Sequence, residues 1–225
     1  MASFAVLFVK NPQPGKVKTR LTTHCSPEAA AELYRAFVLD SVALLAASSA
    51  ERKVVAFAPA DGAADLLQLL GNGVEMVAQP ELDLGKRMDW AMRWCFSQGA
   101  DRALVIGSDS PSLPSDCIDQ ALALLADRDV VLGPSTDGGY YLVGQRQPDS
   151  GIFADIDWST GAVLQQTLSR LQGAELGLLP VWYDVDTPEE AGFLRVHLEA
   201  LQRTGQCVAP HSLEVLRRLD FPLPA

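Results

Sequence analysis

Residues 4–21, FAVLFVKNPQPGKVKTRL, join an uncharged apolar run to a loop that is rich in proline and positive charge. The run FAVLFV (4–9) is typical of a strand that is buried on both faces of a parallel sheet. Pro12 and Pro14 stiffen the loop that follows, and Gly15 lets its backbone approach a ligand closely. Open α/β sheets bind ligands beyond the carboxyl ends of their strands, so the stretch predicts a binding loop as well as a buried strand.

Further apolar runs repeat this pattern along the chain. Buried strands are predicted at KVVAFA (53–58), VEMVA (74–78), RALVIG (102–107) and DVVLG (129–133). GYYLVG (139–144) differs in character, and an antiparallel direction is one option for it. Together the runs predict an α/β layer fold.

Helix starts alternate with these strands and imply right-handed crossovers. Ser26 is followed by Pro27, which gives an N-cap and a proline at the first helical position. Thr187-Pro188-Glu189-Glu190 has the form of a capping box. Ser115 and Ser159 are predicted to cap two further helices, and DSGIFADIDW (149–158) is interpreted as a functional loop.

Composition limits the classes of protein that the chain could represent. Its 225 residues, 48% of them hydrophobic, suit a single domain with a large core. A net charge of −10 argues against nucleic acid or an anionic membrane as the main partner. No apolar stretch approaches the roughly 20 residues of a membrane span, and the four cysteines form no C-x-x-C pair, so we expect a cytoplasmic protein with free thiols. The oligomeric state is left open, and a homo-oligomer is one option.

The loop after the first strand concentrates positive charge in this acidic chain. It carries Lys10, Lys16, Lys18 and Arg20. We expect Lys18 and Arg20 to reach the pyrophosphate of a polyanionic small molecule, with arginine offering a bidentate fork. The alternative is a solvated basic loop. Neither a P-loop nor a G-x-G-x-x-G sequence is present.

Three aspartates are candidate metal ligands. Asp109 follows RALVIG directly, and Mg²⁺ commonly takes only one or two protein carboxylates beside water and phosphate. Asp184 and Asp186 alternate at a predicted strand end, so both are expected to face the same way, and one of them could complete the site. The alternatives are that Asp109 only caps the turn before Pro111 and that the late pair prepares the next helix.

The stretch GPSTDGGYYLVG (133–144) adds a tight turn. Asp137 followed by Gly138 and Gly139 would let the backbone approach a substrate beside Tyr140, although a plain β-turn is the alternative. Trp158 is interpreted as core packing. The three histidines show no metal-binding spacing, and no G-x-S-x-G elbow is present.

Taken in order, VKNPQPGKVKTRL, IGSDSPSLP, GPSTDGGYYLVG, WST with VLQQTL, and DVDTPEE resemble the DUF2064 family. This family of glycosyltransferase-A-type proteins includes arsenosugar-biosynthesis-type glycosyltransferases. It is similar more distantly to the guanylyltransferase that acts on phospholactate. The resemblance covers about residues 3–203.

The resemblance implies a Rossmann-like three-layer glycosyltransferase-A (nucleotide-diphospho-sugar transferase) fold with a mostly parallel mixed sheet. It implies one domain over residues 1–225, with a nucleotide-binding half at about 1–110 and an acceptor-side half at about 111–225. Site roles follow by position. The resemblance assigns phosphate binding to Lys10, Gly15, Lys18 and Arg20, and contact with the base or ribose to Gln79, Gly85 and Arg87. It assigns metal binding to Asp109, Asp184 and Asp186, and the acceptor side to Asp137, Gly138, Gly139 and Tyr140. Asp109 takes the metal-binding part of a D-x-D element, although the chain has Ser-Asp-Ser there.

The resulting hypothesis is a metal-dependent glycosyltransferase-like enzyme that moves a sugar from a nucleotide sugar to a small-molecule acceptor, using Mg²⁺ or Mn²⁺. Asp109 and Asp137 are the candidate catalytic residues, and Asp137 would orient or deprotonate the acceptor hydroxyl. One alternative is a nucleotidyltransferase that uses a nucleoside triphosphate and a phosphorylated small molecule. A further alternative is a non-catalytic nucleotide-binding protein.

Overall fold

A computed structural model of the chain describes residues 2–224. Its seven strands form one sheet in the order β3-β2-β1-β4-β6-β5-β7. β6 is antiparallel to both of its neighbours, and every other pair is parallel. The strands are β1 (Ser3–Lys10), β2 (Arg52–Ala58), β3 (Glu75–Ala78), β4 (Arg102–Ile106), β5 (Val130–Pro134), β6 (Tyr140–Gln145) and β7 (Leu176–Leu178). The mostly parallel mixed sheet is therefore confirmed, as is the antiparallel option for GYYLVG.

Helices cover both faces of the sheet and make three layers. They are α1 (Pro27–Ala47), α2 (Ala63–Leu70), α3 (Leu84–Ser97), α4 (Cys117–Leu124), α5 (Val163–Arg170), α6 (Pro188–Arg203) and α7 (Pro210–Leu216). Alternate residues of β1 supply the two cores. Leu7 packs in the core that contains Phe37 of α1, and Val6 packs in the core that contains Met92 of α3. Both faces of β1 are thus buried, as its continuous apolar sequence predicts.

Two of the four predicted helix caps are confirmed. Ser26 accepts a hydrogen bond from the amide of Ala29 at 3.2 Å and begins α1. Thr187 forms the complete capping box with Glu190 at the start of α6.

The predictions for Ser115 and Ser159 are wrong. Ser115 lies in a turn closed by a hydrogen bond from the amide of Cys117 to Pro114 O, so α4 begins only after Asp116. Ser159 has a left-handed φ of 65°, whereas an N-cap residue is extended, and α5 begins after Ala162.

The predicted strand at WYDVD is also wrong. Only Trp182 forms a β-bridge, with Ser135, and residues 183–186 lie outside the sheet. All four cysteines are free thiols. Among residues 2–224, no helix combines the length and the apolar character that crossing a membrane requires.

Candidate functional site

A cleft of about 640 Å³ opens beyond the carboxyl ends of β1 and β4. From β1 the sheet continues through β2 and β3 to one side and through β4 to the other, so the strand order switches between β1 and β4. Ligands of open α/β sheets bind at such a switch point. The floor of the cleft includes Phe8, Val9, Val105 and Ile106.

Most of the residues that the sequence assigns to a site line this cleft. They are Lys10, Lys18, Arg20, Gln79, Arg87, Asp109, Asp137, Gly139, Tyr140, Asp184 and Asp186. Gly15, Gly85 and Gly138 are not among the lining residues. Segments far apart in the chain therefore meet at one edge of the sheet, with Arg20 and Asp109 in a common cleft.

Lys18 lies between two of the carboxylates. Its ammonium forms ion pairs with Asp109 and with Asp186 Oδ1, the latter at 2.7 Å, and its side chain is only 3% exposed. The rings of Tyr34 and Phe37 lie 5.8 and 5.5 Å from Lys18 Nζ. Burial alone would lower the pKa of Lys18, but the charges of Asp109 and Asp186 outweigh it and raise the pKa above its usual value. The Lys18 ammonium therefore stays protonated between Asp109 and Asp186.

The local sequence explains why Lys18 turns inward. Val17 and Leu21 are buried on either side of it, at 4% and 0% exposure, and they anchor the loop in the core. Lys18 itself has a left-handed φ of 46° and starts the 3₁₀ turn Thr19–Thr23. This conformation is costly for a residue with a side chain, and such strain is often found at functional sites.

The cations of this loop differ in how they are placed. Lys18 pairs with Asp109 and Asp186, and its contact with a pyrophosphate stays a prediction. Arg20 is 71% exposed, with Nη1 4.0 Å from Asp186 Oδ2, and Lys10 is exposed at the end of β1. Gly15, with φ 72°, is exposed and has no protein atom within 4 Å of its Cβ position, and the approach of its backbone to a ligand stays a prediction. The exposed cations of this loop that line the cleft are therefore Lys10 and Arg20, whereas the exposed Lys16 does not line it.

Asp184 is held by two serines that the sequence analysis did not assign. Ser110 donates to Asp184 Oδ1 at 2.5 Å, and Ser135 donates to Oδ2 at 2.9 Å. Burial raises the pKa of Asp184 to about 6, and the nearby charges of Asp109 and Asp137 add to the shift.

The pKa of Asp186 is shifted in the opposite direction to that of Asp184. Burial would raise its pKa, but Lys18 and Arg20 lower it below the usual value. The amide of Val185 donates to Asp109 O at 2.9 Å, which joins the late segment to the loop after β4. Asp184 and Asp186 therefore both face the cleft, although they are not in a strand.

The carboxylates of Asp109, Asp184 and Asp186 have the donor chemistry for Mg²⁺ or Mn²⁺. Carboxylate oxygens suit both ions, and a cationic group already lies between Asp109 and Asp186. Within residues 2–224, no three acidic, histidine or cysteine side chains surround one point closely enough to hold an ion. The arrangement thus fits a metal that takes one or two carboxylates and completes its coordination with phosphate and water.

The Asp137-Gly138-Gly139 segment is the predicted tight turn. Asp137 Oδ1 accepts a hydrogen bond from the amide of Gly139 at 2.8 Å, so the carboxylate stabilises its own turn. Gly138 has φ 89°, and a Cβ there would lie 2.3 Å from Gly161 O. The glycine therefore lets the turn pack against the segment that carries Gly161.

Trp158 and Tyr140 form the adjoining wall. Their rings meet edge to face at 6.3 Å, and both residues line the cleft. Gly85 lies directly behind Trp158, because a Cβ on Gly85 would be 2.5 Å from Trp158 Nε1. Gly85 therefore packs behind this wall and does not itself line the cleft, and its role at the base or ribose stays a prediction. Ser159 and Thr160 also line the cleft.

Gln79 and Arg87 form a linked pair on the β3 side of the cleft. Gln79 Nε2 donates to Ala56 O at 2.6 Å, and Arg87 Nη1 donates to Gln79 Oε1 at 3.1 Å. Gln79 is thereby committed to orienting Arg87, which leaves Arg87 as the better placed of the two to contact a ligand.

Sequence reasoning missed several polar residues of the cleft. Tyr34 shares a hydrogen bond of 2.8 Å with Ser108 and accepts one from the amide of Lys10 at 3.0 Å. Ser108 and Ser110 flank Asp109, so their position gave a signal. Tyr34 lies on the buried face of α1. The sequence alone does not distinguish such an aromatic residue from one that only packs in the core.

Comparisons with known proteins match the chain to one family and one fold. A family model described as "Uncharacterized protein conserved in bacteria (DUF2064)" matches residues 41–160. The structure of a putative nucleotide-diphospho-sugar transferase from Desulfovibrio desulfuricans G20 is 34% identical, with a TM-score of 0.87, and the match covers 99% of this chain and 100% of that one. The expected fold class is confirmed by this similarity.

Two more distant similarities are to a guanylyltransferase and to a manganese complex of another protein. The phosphoenolpyruvate guanylyltransferase of Sphaerobacter thermophilus is 28% identical over 188 residues, which are 80% of this chain and 87% of that protein. The manganese complex of Rv0371C from Mycobacterium tuberculosis H37Rv is 13% identical, with a TM-score of 0.55, over 86% of this chain and 98% of that one. The latter similarity concerns the fold alone.

Proposed function

The chain belongs to the DUF2064 family and is a transferase, and from this premise we propose that it transfers a nucleotidyl group from a nucleoside triphosphate to a phosphorylated small molecule with the help of Mg²⁺ or Mn²⁺. The relative from Sphaerobacter thermophilus, a guanylyltransferase, supports this class of reaction. The position of the cleft also supports a transfer reaction. It lies where the strand order switches between β1 and β4, so a nucleotide and an acceptor would meet there.

One observation carries the choice of nucleotidyl transfer: each of the four carboxylates that line the cleft already has a hydrogen-bond or ion-pair partner. Among the described residues, no histidine lines it. The carboxylate of Asp137 accepts a hydrogen bond from its own turn, and those of Asp109 and Asp186 are ion-paired with Lys18. Asp184 accepts hydrogen bonds from Ser110 and Ser135. An acceptor hydroxyl would need a group to take its proton. A phosphate oxygen is already ionised at neutral pH and needs none.

The proposed step is balanced without a base. An ionised phosphate oxygen of the acceptor attacks the α-phosphorus of the triphosphate and forms a new P–O bond. The bond from the α-phosphorus to the bridging oxygen breaks, and pyrophosphate leaves with that electron pair. The chain's contribution is to position the two reactants in line and to neutralise their charge.

Individual residues take the following parts in this proposal. Arg20 and Lys10 contact the β- and γ-phosphates from the open side of the cleft. Arg87, oriented by Gln79, contacts the base or ribose. The turn at Asp137 holds the acceptor, together with Ser159 and Thr160. Nucleotide thus occupies the half at about 1–110 and acceptor the half at about 111–225 of one domain.

Asp109 with one of Asp184 and Asp186 would hold the divalent cation. When bound, such an ion supplies charge neutralisation on the triphosphate and on the leaving pyrophosphate.

The test is acceptor-dependent release of pyrophosphate. Each of the four nucleoside triphosphates is incubated with the protein, Mn²⁺ and phosphoenolpyruvate, the acceptor for which the Sphaerobacter relative is named. We expect pyrophosphate and a nucleotidylated acceptor, detected by phosphorus NMR, with one of the bases. A panel of other phosphorylated acceptors extends the test. Absence of pyrophosphate across the panel would contradict the proposal.

Sugar transfer is the second candidate, because the 34% identical Desulfovibrio protein is a putative nucleotide-diphospho-sugar transferase. The same assay separates the two. Release of a nucleoside diphosphate from a nucleotide sugar, dependent on a hydroxylated acceptor, would favour sugar transfer.

A further inference from the structure

We propose that Lys18 and the divalent cation compete for Asp109 and Asp186, so that the cation binds tightly only when the phosphates of a nucleotide take over the Lys18 ammonium. This inference rests on the proposed function for its two ligands, a divalent cation and a nucleotide. It assigns to Lys18 the coupling between them.

The first support is the position of the ammonium. Lys18 Nζ contacts one oxygen of Asp109 and one oxygen of Asp186, which are two of the three carboxylates suited to a divalent ion. A cation that approached the same oxygens would meet the positive charge of Lys18 at contact distance. Like charges at contact distance repel, and the buried position of the Lys18 side chain reduces the screening of its charge by water. Metal and ammonium therefore cannot share both carboxylates.

The second support is that the ammonium cannot leave unaccompanied. Its side chain is 3% exposed and rests on the rings of Tyr34 and Phe37, so Asp109 and Asp186 are its charged partners in this position. A buried ammonium without a counter-ion is costly. A metal ion that bound both carboxylates without nucleotide would leave the buried Lys18 ammonium without a counter-ion. This cost weakens the binding of metal to the nucleotide-free protein.

The third support is the route available to Lys18. Its side chain lines the cleft into which Lys10 and Arg20 also open. Lys18 can thus exchange carboxylate partners for phosphate oxygens within the same cleft. A triphosphate would supply the counter-ion that metal alone does not.

The exchange gives the two ligands a reciprocal effect on each other. Nucleotide that engages Lys18 frees the carboxylates, and metal that occupies the carboxylates favours Lys18 on phosphate. By linkage, each ligand must raise the affinity for the other by the same factor. The cation and nucleotide would therefore load together.

The experiment measures Mn²⁺ binding to the whole protein in the absence of nucleotide, by the electron paramagnetic resonance signal of free Mn²⁺. Lys18→Met keeps the length and the apolar body of the side chain and removes its charge. We expect this variant to bind Mn²⁺ at least tenfold more tightly than the wild type. Lys16→Met, at an exposed cation of the same loop, should leave the affinity unchanged. Equal or weaker binding by Lys18→Met would overturn the proposal, because a merely supporting lysine predicts that result.

A wild-type measurement guards against misfolding of Lys18→Met, whose fold is checked by circular dichroism. Mn²⁺ affinity is compared with and without a non-hydrolysable triphosphate, and we expect at least a tenfold gain with it. An identical Mn²⁺ affinity under both conditions would overturn the coupling.

Asp109→Asn separates this inference from the proposed function. If it abolishes Mn²⁺ binding while Lys18→Met binds no better than the wild type, the competition is wrong and the metal site of the proposed function stands. If Asp109→Asn leaves Mn²⁺ binding intact, both the competition and the metal site of the proposed function are wrong, whereas the pyrophosphate assay still decides the transfer reaction itself.

Discussion

Asp184 is an ionisable group that the fold holds at a cost. Its folded pKa of about 6 lies above the usual 3.8, so between these values the folded chain binds more protons than the unfolded chain. The free energy of unfolding therefore falls as the pH rises from about 4 to about 6, and the loss persists at neutral pH. A carboxylate kept at such a cost is typical of a site selected for function.

Asp184→Asn should accordingly stabilise the metal-free protein at pH 7.5, by about 1–3 kcal/mol as judged from a shift of about two pKa units. The amide removes the buried charge and can still bond to Ser110 and Ser135. Urea unfolding in EDTA at pH 4.5 and pH 7.5 measures this, and the gain should be about threefold smaller at the lower pH, where the folded-state carboxyl is mostly protonated. An equal effect at both pH values would show that charge is not the cause.

Asp109→Asn should abolish metal-dependent nucleotide binding and leave the fold intact, because the side chain is 48% exposed and only its charge is removed. Titration of a triphosphate with and without Mn²⁺ measures the effect. Asp127→Asn, at an exposed position that does not line the cleft, is the matched control. Unchanged metal-dependent affinity in Asp109→Asn would remove this residue from the site.

Arg20→Ala should weaken triphosphate binding about tenfold, as expected for one charge-assisted hydrogen bond, and should leave nucleoside binding unchanged. Stability should be unaffected, since the side chain is 71% exposed. Calorimetric titration of both ligands makes the comparison, with Lys16→Ala as the control. Equal losses for the two ligands would mean that Arg20 does not contact phosphate.

Residue identity was easier to predict than residue orientation. Asp109 and Arg20 could be chosen from the sequence because each follows a recognisable strand. The inward turn of Lys18 depends on Val17 and Leu21 entering the core and on the arrival of Asp186 from far along the chain. Such long-range partners leave no local pattern.

At the scale of elements, the β5–β6 turn is held by a glycine contact that permits no side chain. Gly138→Ala would place a Cβ 2.3 Å from Gly161 O and would also strain a backbone with φ 89°. We expect a loss of roughly 2 kcal/mol or more, from left-handed strain plus a steric clash that must be relieved.

Gly15→Ala is the matched control, since φ is 72° there but nothing lies within 4 Å of the Cβ position. It should cost only the strain, about 1–2 kcal/mol. Urea unfolding of both variants isolates the contact. Equal losses would show that the segment at Gly161 moves aside without cost.

Element prediction succeeded where the signal was long or chemically distinctive. Continuous apolar runs gave β1, β2 and β4, and complete caps gave the starts of α1 and α6. β7 spans only Leu176–Leu178, with an exposed final residue, so it carried no usable pattern. Ser115 and Ser159 show that a capping residue alone does not start a helix, because the backbone around it must also be extended.

At the scale of the whole molecule, the sheet topology explains why site residues from distant parts of the chain lie together. Strands β1 and β4 are parallel neighbours, so the loops after both were expected at one edge. The approach of Asp184 and Asp186 was expected for the wrong reason. They reach the cleft because the amide of Val185 bonds to Asp109 O, not because they end a strand. Pattern and fold class predict the edge at which residues meet, whereas packing decides which atoms touch.

The reversed direction of β6 has a consequence for how this scaffold tolerates change. Because β6 starts at the cleft and ends beside Ala103, at the far edge of the sheet, its two connections experience opposite constraints. Extra residues between β5 and β6 would displace Asp137, whereas extra residues at the exposed Gln147 and Pro148 would be added on the distant side. Lineages and engineers alike could thus attach new modules after β6 while keeping the chemistry at the opposite end undisturbed.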